Sequence, residues 1–482
     1  MHAVTAARSS PGLTRFALTW AAHGLGSVWD RPVILVAMMV LSLLMPSPGS
    51  MDDAVVNVTP ADIAALLVVL RAGVLVLSDD RPVGKVPVSV LIAMGLVVTA
   101  GAVATGYATD FALSATGLVR YAEVFVVIPL AVATCLRRRQ DAAWVLAAIL
   151  ALGCLEGLLG VHQFVTRTGA SYAGQNVRAI GTFGAYNIMS LATVTAYAML
   201  VALAAFLAVR DRRRWFALGA VVALAVPLLL SLSRGAWVAL AMGSIAAILM
   251  TGPRRLAQVL LGLALAVVAA GMVAPDLAEE QLAQRATSML SVFSDPDKSV
   301  QDRFDLWGTA VKVWREQPVT GVGIKNFPEW RDRHAPLSLS SGSDISDPSN
   351  GFRRAPLLSP HNFYLLVLAE QGLLGLMAFC VLFSLLFVLV IRALIQPGLD
   401  RRTRWLGLAV SGFLVHYLTA SIYGDIGGPT TVLSATWLGL AITASSSSSG
   451  DRVDPQRSEQ PNVVLAKRLG ELSRTTGRGY DA

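Results

Sequence analysis

Long apolar runs separated by short polar segments set the pattern of this chain. The runs fall near Val33–Met45, Ala61–Leu77, Val88–Gly106, Ala112–Cys135, Ala142–Phe164, Tyr186–Val209, Trp215–Leu232, Gly235–Met250, Leu256–Val273, Phe363–Leu394, Trp405–Tyr423 and Thr430–Ala444. Several reach the roughly 20 apolar residues that span a bilayer as a helix. The pattern predicts an all-α, polytopic membrane protein with about twelve crossings. The run Phe363–Leu394 exceeds one crossing, which predicts a break near Gln371-Gly372 or a start outside the lipid.

Charge orders the polar segments. One set of loops carries Arg8 and Arg15; Arg81 and Lys85; Arg137, Arg138 and Arg139; Arg210, Arg212, Arg213 and Arg214; Arg254 and Arg255; and Arg401, Arg402 and Arg404. The alternate short loops carry Asp52 and Asp53, Asp110, and Asp425. Basic loops stay in the cytoplasm, so both termini are expected there. The long polar segment after the ninth run then lies outside the cell. Expected divisions are a membrane part over 1–275 with about nine spans, an extracytoplasmic loop over 276–360, a membrane part over 361–444 with about three spans, and a disordered cytoplasmic tail over 445–482 that opens with a serine run and holds a short helix near Val463–Leu472.

In the outer loop, Phe304, Trp307, Val311 and Trp314 recur at helical spacing. They predict an amphipathic helix over Asp302–Arg315 with an aromatic face, stopped by Pro318 and followed by a turn at Gly321-Val322-Gly323. The stretch Ser338–Ser349 reads as a mobile, Ser/Asp-rich segment.

Composition agrees with this frame: 54% of residues are hydrophobic and 15% charged. The net charge of +8 resides in the short loops and the tail, which argues for topology rather than nucleic acid. Cys135, Cys154 and Cys380 lie in or beside apolar runs, so neither a disulfide nor a metal cluster is expected. The N-terminal segment has no compact signal-peptide layout and is expected to be retained. No cofactor is expected, and Asp295 and Asp297 do not make a convincing metal set.

Candidate chemistry collects toward the outer side. His361 stands where the long polar segment meets an apolar helix, and an imidazole can exchange a proton near neutral pH. Arg234 begins the eighth run, and Arg167 and Arg178 lie in an outer loop. Arginine on that side runs against the charge rule, which favours function over interfacial anchoring. Within the runs, Arg120 and Glu123 are spaced to pair, and the structural reading of that pair outweighs a catalytic one. Glu156 and His162 occupy the outer half of the fifth run, Glu370 follows His361 by roughly 13 Å of helix, and Arg71 lies mid-span with no obvious partner. His416 reads as a packing residue. Arginines suit phosphate oxygens, and a departing diphosphate needs its charge neutralised.

Ser359-Pro360-His361-Asn362-Phe363-Tyr364-Leu365, followed by Ala369-Glu370-Gln371-Gly372-Leu373-Leu374-Gly375, resembles the C-terminal signature of the O-antigen ligase and polymerase family: His-Asn, nine residues, then Gly, here His361, Asn362 and Gly372. Ser233-Arg234-Gly235-Ala236 resembles its helix-start arginine motif. Arg178-Ala179-Ile180-Gly181-Thr182-Phe183-Gly184 resembles its Gly-Thr-Phe-Gly segment, and Pro318-Val319-Thr320-Gly321-Val322-Gly323 a further part of its outer loop. The matches follow family order from Arg178 to Gly375, and the first five spans match only in general character. Ala185-Tyr186-Asn187 departs from the family's Asn-Pro-Asn. The resemblance implies a metal-independent, inverting glycosyltransferase with a GT-C-like fold, taking a glycan from undecaprenyl diphosphate at the outer face of the bacterial plasma membrane. His361 would be the base, or orient the acceptor hydroxyl. Arg234 and Arg178 would hold the diphosphate, with Arg167 and Arg120 as rivals for the second place. Asn362, Glu370, Arg120 and Glu123 would support the site. Expected partners are the lipid-linked donor, a glycan, lipid or protein acceptor, and other polysaccharide-assembly proteins. Ligase and polymerase stay open. So do two other classes, a transporter or flippase without covalent chemistry and a structural member of an assembly complex. A transporter is disfavoured because no internal repeat is visible and the ionisable residues favour one half of the membrane.

Overall fold

The computed structural model describes residues 29–46, 58–78, 86–138, 140–172, 177–187, 189–259, 298–341, 343–347, 351–355, 357–425 and 428–446. Most of the expected ninth span, the tail with the helix expected near Val463–Leu472, and Arg8, Arg15, Asp52, Asp53, Arg81, Lys85, Arg139, Asp295 and Asp297 lie outside them.

The described architecture is a helical bundle. Its long elements are α1 (Pro32–Leu41), α2 (Pro60–Leu77), α3 (Val88–Gly106), α4 (Phe111–Cys135), α5 (Asp141–Thr166), α6 (Ser190–Ala208), α7 (Arg214–Leu230) and α8 (Arg234–Leu249). After the loop come α9 (Lys298–Glu316), α10 (Phe327–His334), α11 (Phe363–Leu394), α12 (Arg401–Ala420) and α13 (Thr431–Ser446). Six of these, α2 to α6 and α11, are long and apolar enough to cross a membrane; Pro32–Leu44, α7, α8 and α13 are apolar but shorter. α12 has the length, but Arg401, Arg402 and Arg404 crowd its first turn. The sixth helix starts at Ser190, later than Tyr186, because single turns at Gly181–Phe183 and Ala185–Asn187 take up the preceding residues.

Local chemistry sets the helix ends. Thr59 and Asp62 form a reciprocal cap on α2, Asp110 caps α4 through the Leu113 amide at 2.9 Å, and Asp400 caps α12 through the amides of Arg402 and Thr403. These side chains satisfy N–H groups that have no partner inside the helix. Within α4, a π-helical turn over Glu123–Val127 precedes Pro129. Proline has no N–H to give and crowds the carbonyl four residues back, so a widened turn just before it relieves both problems.

Small residues let the helices close together. A Cβ on Gly243 of α8 would lie 2.6 Å from the Gly412 carbonyl of α12. Gly153 of α5 has no room for one against Ala198 of α6. Close backbone approach is how helices associate in lipid, where burying apolar area gives little drive. Aromatic rings join α4 to α11: Phe125 meets Phe379 edge-on at 4.7 Å and stacks on Phe363 at 6.3 Å.

The loops sort to two ends. At one, Arg401 pairs with Asp211 at 3.0 Å, joining two arginine-rich connections. At the other, α10 and the Asn326 before it dock on the α3–α4 turn: the Asp110 amide donates to Asn326 Oδ1 at 2.8 Å, and the Trp330 indole donates to Thr109 at 2.9 Å. A three-stranded antiparallel sheet also forms here, in order β1 (Ser171–Tyr172), β2 (Ser343–Asp347), β3 (Gly351–Ala355). The stretch expected to be mobile therefore contains a strand, β2, which ties it to the α5–α6 connection through Ser171–Ser346 and Tyr172–Ile345 pairing.

The expected amphipathic helix is present as α9, but its buried stripe differs from the expected one. Asp302, Leu306, Thr309, Ala310 and Val313 are buried, with Ala310 and Val313 packed beside Val322, Phe327 and Ala369. The aromatic residues flank that stripe half-buried, and their indoles serve as donors: Trp307 to the Pro360 carbonyl and Trp314 to the Pro318 carbonyl, each at 3.0 Å.

Candidate active site

The break expected in α11 sits at Gly372, whose φ of 62° and ψ of −161° are non-helical. Glycine alone adopts such angles readily. The interruption frees backbone groups, and the segment Pro318–Gly323 takes them up. The Val322 and Gly323 amides donate to the Ala369 and Glu370 carbonyls at 3.0 and 2.9 Å, and the Leu373 and Leu374 amides donate to the Pro318 and Val319 carbonyls at 2.9 and 3.2 Å. A Cβ at Gly372 would collide with the Val319 carbonyl, and one at Gly321 with the Glu370–Gln371 peptide. The segment Pro318–Gly323 is thus strapped to the first part of α11, which begins at Phe363, two residues after His361.

His361 is held on several sides. Its φ is +48°, a left-handed conformation uncommon for a residue with a side chain. Its amide donates to Ser359 Oγ at 3.2 Å. The preceding Pro360 carbonyl accepts from Trp307. The following Asn362 is buried and caps α11, its Oδ1 accepting from the Leu365 amide at 3.1 Å, and the Phe363 amide donates to the Ser421 carbonyl at 2.8 Å.

The imidazole itself meets Asp425. Nδ1 lies 2.8 Å from Asp425 Oδ2. Burial works to raise the Asp425 carboxyl, but the neighbouring His361, the Ser359 hydroxyl and the charge of Arg303 prevail and hold it below the usual carboxylate range. An ionised carboxylate only accepts hydrogen bonds, so Nδ1 carries the hydrogen and Nε2 is the basic nitrogen. This gives a half-exposed imidazole, oriented by an acid and able to take a proton through Nε2.

The loop Tyr423–Asp425 gathers the other motifs. Tyr423 lies against Gly235, where an added Cβ would be 3.2 Å from Tyr423 Cβ, so the helix start bearing Arg234 meets the loop bearing Asp425. A Cβ on Gly428 would lie 3.0 Å from Asn187 Oδ1, which brings the Gly181–Asn187 turns to the same loop. Arg178 pairs through its backbone with Ala170, N–H to O 2.8 Å. The next amide, Ala179, reaches the Leu230 carbonyl at the end of α7, 3.4 Å away. Arg178 and Arg234 therefore flank the two ends of the α7–α8 connection.

The remaining candidates separate from this centre. Arg120 bridges Asp62 at 2.9 Å and Glu123 at 2.7 Å, stitching α4 to α2. Glu370 is buried and directs Oε1 to the Phe327 amide at 3.4 Å, closing the strapped loop. Arg167 ends α5 in a left-handed conformation, and His162 is exposed. Arg71 finds its partner in Trp29, donating to its carbonyl at 2.8 Å and lying 5.2 Å over its ring. His416 is buried edge-on to Tyr197 at 5.2 Å. Two residues missed from sequence belong to the centre: Asp425, read only as the acid of a short loop, and Arg303, whose charge reaches Asp425. The available signal for Asp425 was an acid alone in an otherwise uncharged loop, Ser421–Thr430.

Every element of this centre from Arg234 through Gly372 lies within one continuous stretch. Residues 219–380 match the family model described as O-antigen ligase. The match spans about a third of the chain and supports ligase- or polymerase-like glycan transfer in general. Its span holds Arg234, Arg303, the strap, His361, Asn362 and Gly372, while Asp425 and Arg178 fall outside it. No curated protein matches the chain.

Proposed function

We propose that this protein transfers a glycan from an undecaprenyl-diphosphate-linked donor to an acceptor hydroxyl at the extracytoplasmic face of a bacterial plasma membrane, as a metal-independent, inverting O-antigen ligase or polymerase. The observation that carries the reading is the His361–Asp425 pair at 2.8 Å, placed beside the helix start of Arg234. In this scheme Nε2 of His361 takes the proton of the acceptor hydroxyl as its oxygen attacks the anomeric carbon. The carbon–oxygen bond to the diphosphate breaks on the opposite side, and the diphosphate leaves with the bonding electrons. Arg234 and Arg178 neutralise that charge, which is the part of the barrier that fixed cations lower most effectively. Asp425 keeps the imidazole in the required tautomer.

Sidedness follows from the two ends of the bundle. The arginine-rich connections around Asp211 and Arg401 belong in the cytoplasm by the positive-inside rule, which sets His361 outside and both termini inside. About twelve crossings satisfy that count. Replacing His361 with Ala should abolish glycan transfer in membranes that hold wild-type amounts of folded protein, with activity surviving EDTA in the wild type. Transfer at the wild-type rate by His361→Ala would remove the base assignment.

A further inference from the structure

The structure assigns a role to two α5 side chains that the site has not yet used: Gln163 and Glu156 form a clamp that positions the Arg178 segment for a polyprenyl diphosphate. The inference rests on the reading above and names the residues that make its donor side rigid. Gln163 Oε1 accepts from the Ile180 and Gly181 amides at 3.1 and 2.8 Å, while Nε2 donates to the Gly181 carbonyl at 2.8 Å. Glu156, two helical turns earlier on the same face, accepts from the Thr182 amide at 3.0 Å and the Thr182 hydroxyl at 2.6 Å.

Glu156 is fully buried. A carboxylate at that depth is unfavourable unless it has defined work, and here its partners all belong to one turn. Together the two side chains satisfy the successive amides of Ile180, Gly181 and Thr182, which no helix or strand takes up. Gly181 has a φ of +65° and sits against Glu156, with no space for a Cβ. Arg178 is two residues before this clamped turn. Asn187, at its other end, touches the Gly428 side of the loop that bears Asp425. The clamp therefore sets the distance between the arginine segment and the histidine loop, and Gln163 and Glu156 act as positioning residues through Arg178.

The test is binding of bare undecaprenyl diphosphate to the purified full-length protein, which needs no knowledge of the sugar. Gln163→Leu should weaken binding about tenfold, since it leaves buried backbone groups unpaired. Thr182→Val removes only the hydroxyl and should weaken it about threefold. The double variant Gln163→Leu/Arg178→Ala should bind no worse than Arg178→Ala alone, because a clamp without its arginine has nothing to position. Hydrogen exchange at Ile180–Thr182 should accelerate in Gln163→Leu and not in Arg178→Ala; the thermal midpoint should fall in Gln163→Leu, whose unpaired backbone groups also cost stability, and stay near the wild type in Arg178→Ala. Wild-type affinity in Gln163→Leu and Thr182→Val, or effects that multiply in the double variant, would overturn the clamp. Failure of the wild type itself to bind the lipid would instead overturn the glycan-transfer reading and the donor role with it.

Discussion

Replacing Gly372 with Ala should destabilise the protein by about 3–5 kcal/mol, more than any ordinary surface change. The magnitude comes from two sources. At φ 62° and ψ −161° a side chain adds about 1–3 kcal/mol of backbone strain. The new Cβ also meets the Val319 carbonyl and the Gly321 amide, so the strap must move and the hydrogen bonds it makes to Ala369, Glu370, Leu373 and Leu374 weaken. Losing two of these adds about 2 kcal/mol. Two other glycines calibrate the reasoning. Gly398 has φ +77° but open space around it, so Gly398→Ala should show strain alone, about 1–2 kcal/mol. Gly73 is helical and has nothing within 4 Å, so its Ala variant should be neutral or stabilising by up to about 1 kcal/mol. Denaturant or thermal unfolding in detergent, followed by tryptophan fluorescence, measures all three. Transfer activity should fall with Gly372→Ala, because the strapped part of α11 starts two residues after His361. A Gly372→Ala protein within about 1 kcal/mol of wild type would refute the account of the break.

Asp425→Asn should lower transfer about 10–100-fold at unchanged protein level, by removing a charged partner from the imidazole; a wild-type rate would leave Asp425 without a role. Because the Asp425 carboxyl is held below its usual range, its share of stability is complete above about pH 4 and is lost as pH falls through the lower folded value. The thermal-midpoint advantage of wild type over Asp425→Asn should thus persist at pH 5 and shrink toward pH 2, and its disappearance already at pH 5 would contradict the assignment. Trp307→Phe keeps an aromatic ring but removes the indole donor to Pro360 along with some ring volume, and should lower kcat about fivefold with KM for the donor unchanged; a change confined to KM would place Trp307 in binding instead.

Much of the helical frame was readable from the chain alone. Apolar run length located most of the described helices, the Ser-Pro-His-Asn start located α11, and a glycine inside an overlong run located its break, because each depends on neighbouring residues in sequence. What those features bind was decided by the fold. The strap at Gly372 comes from Pro318–Gly323, the acid beside His361 comes from the loop after α12, and Arg120 joins Asp62 on α2 rather than serving the centre. The aromatic stripe of α9 shows the same limit: its period was right, yet Leu306, Ala310 and Val313 took the buried side because α11 and Val322 approach from that direction. Helical periodicity says which residues share a face. Which face is covered, and which distant charge arrives beside it, depends on how the helix ends assemble, and only the tertiary structure holds that information.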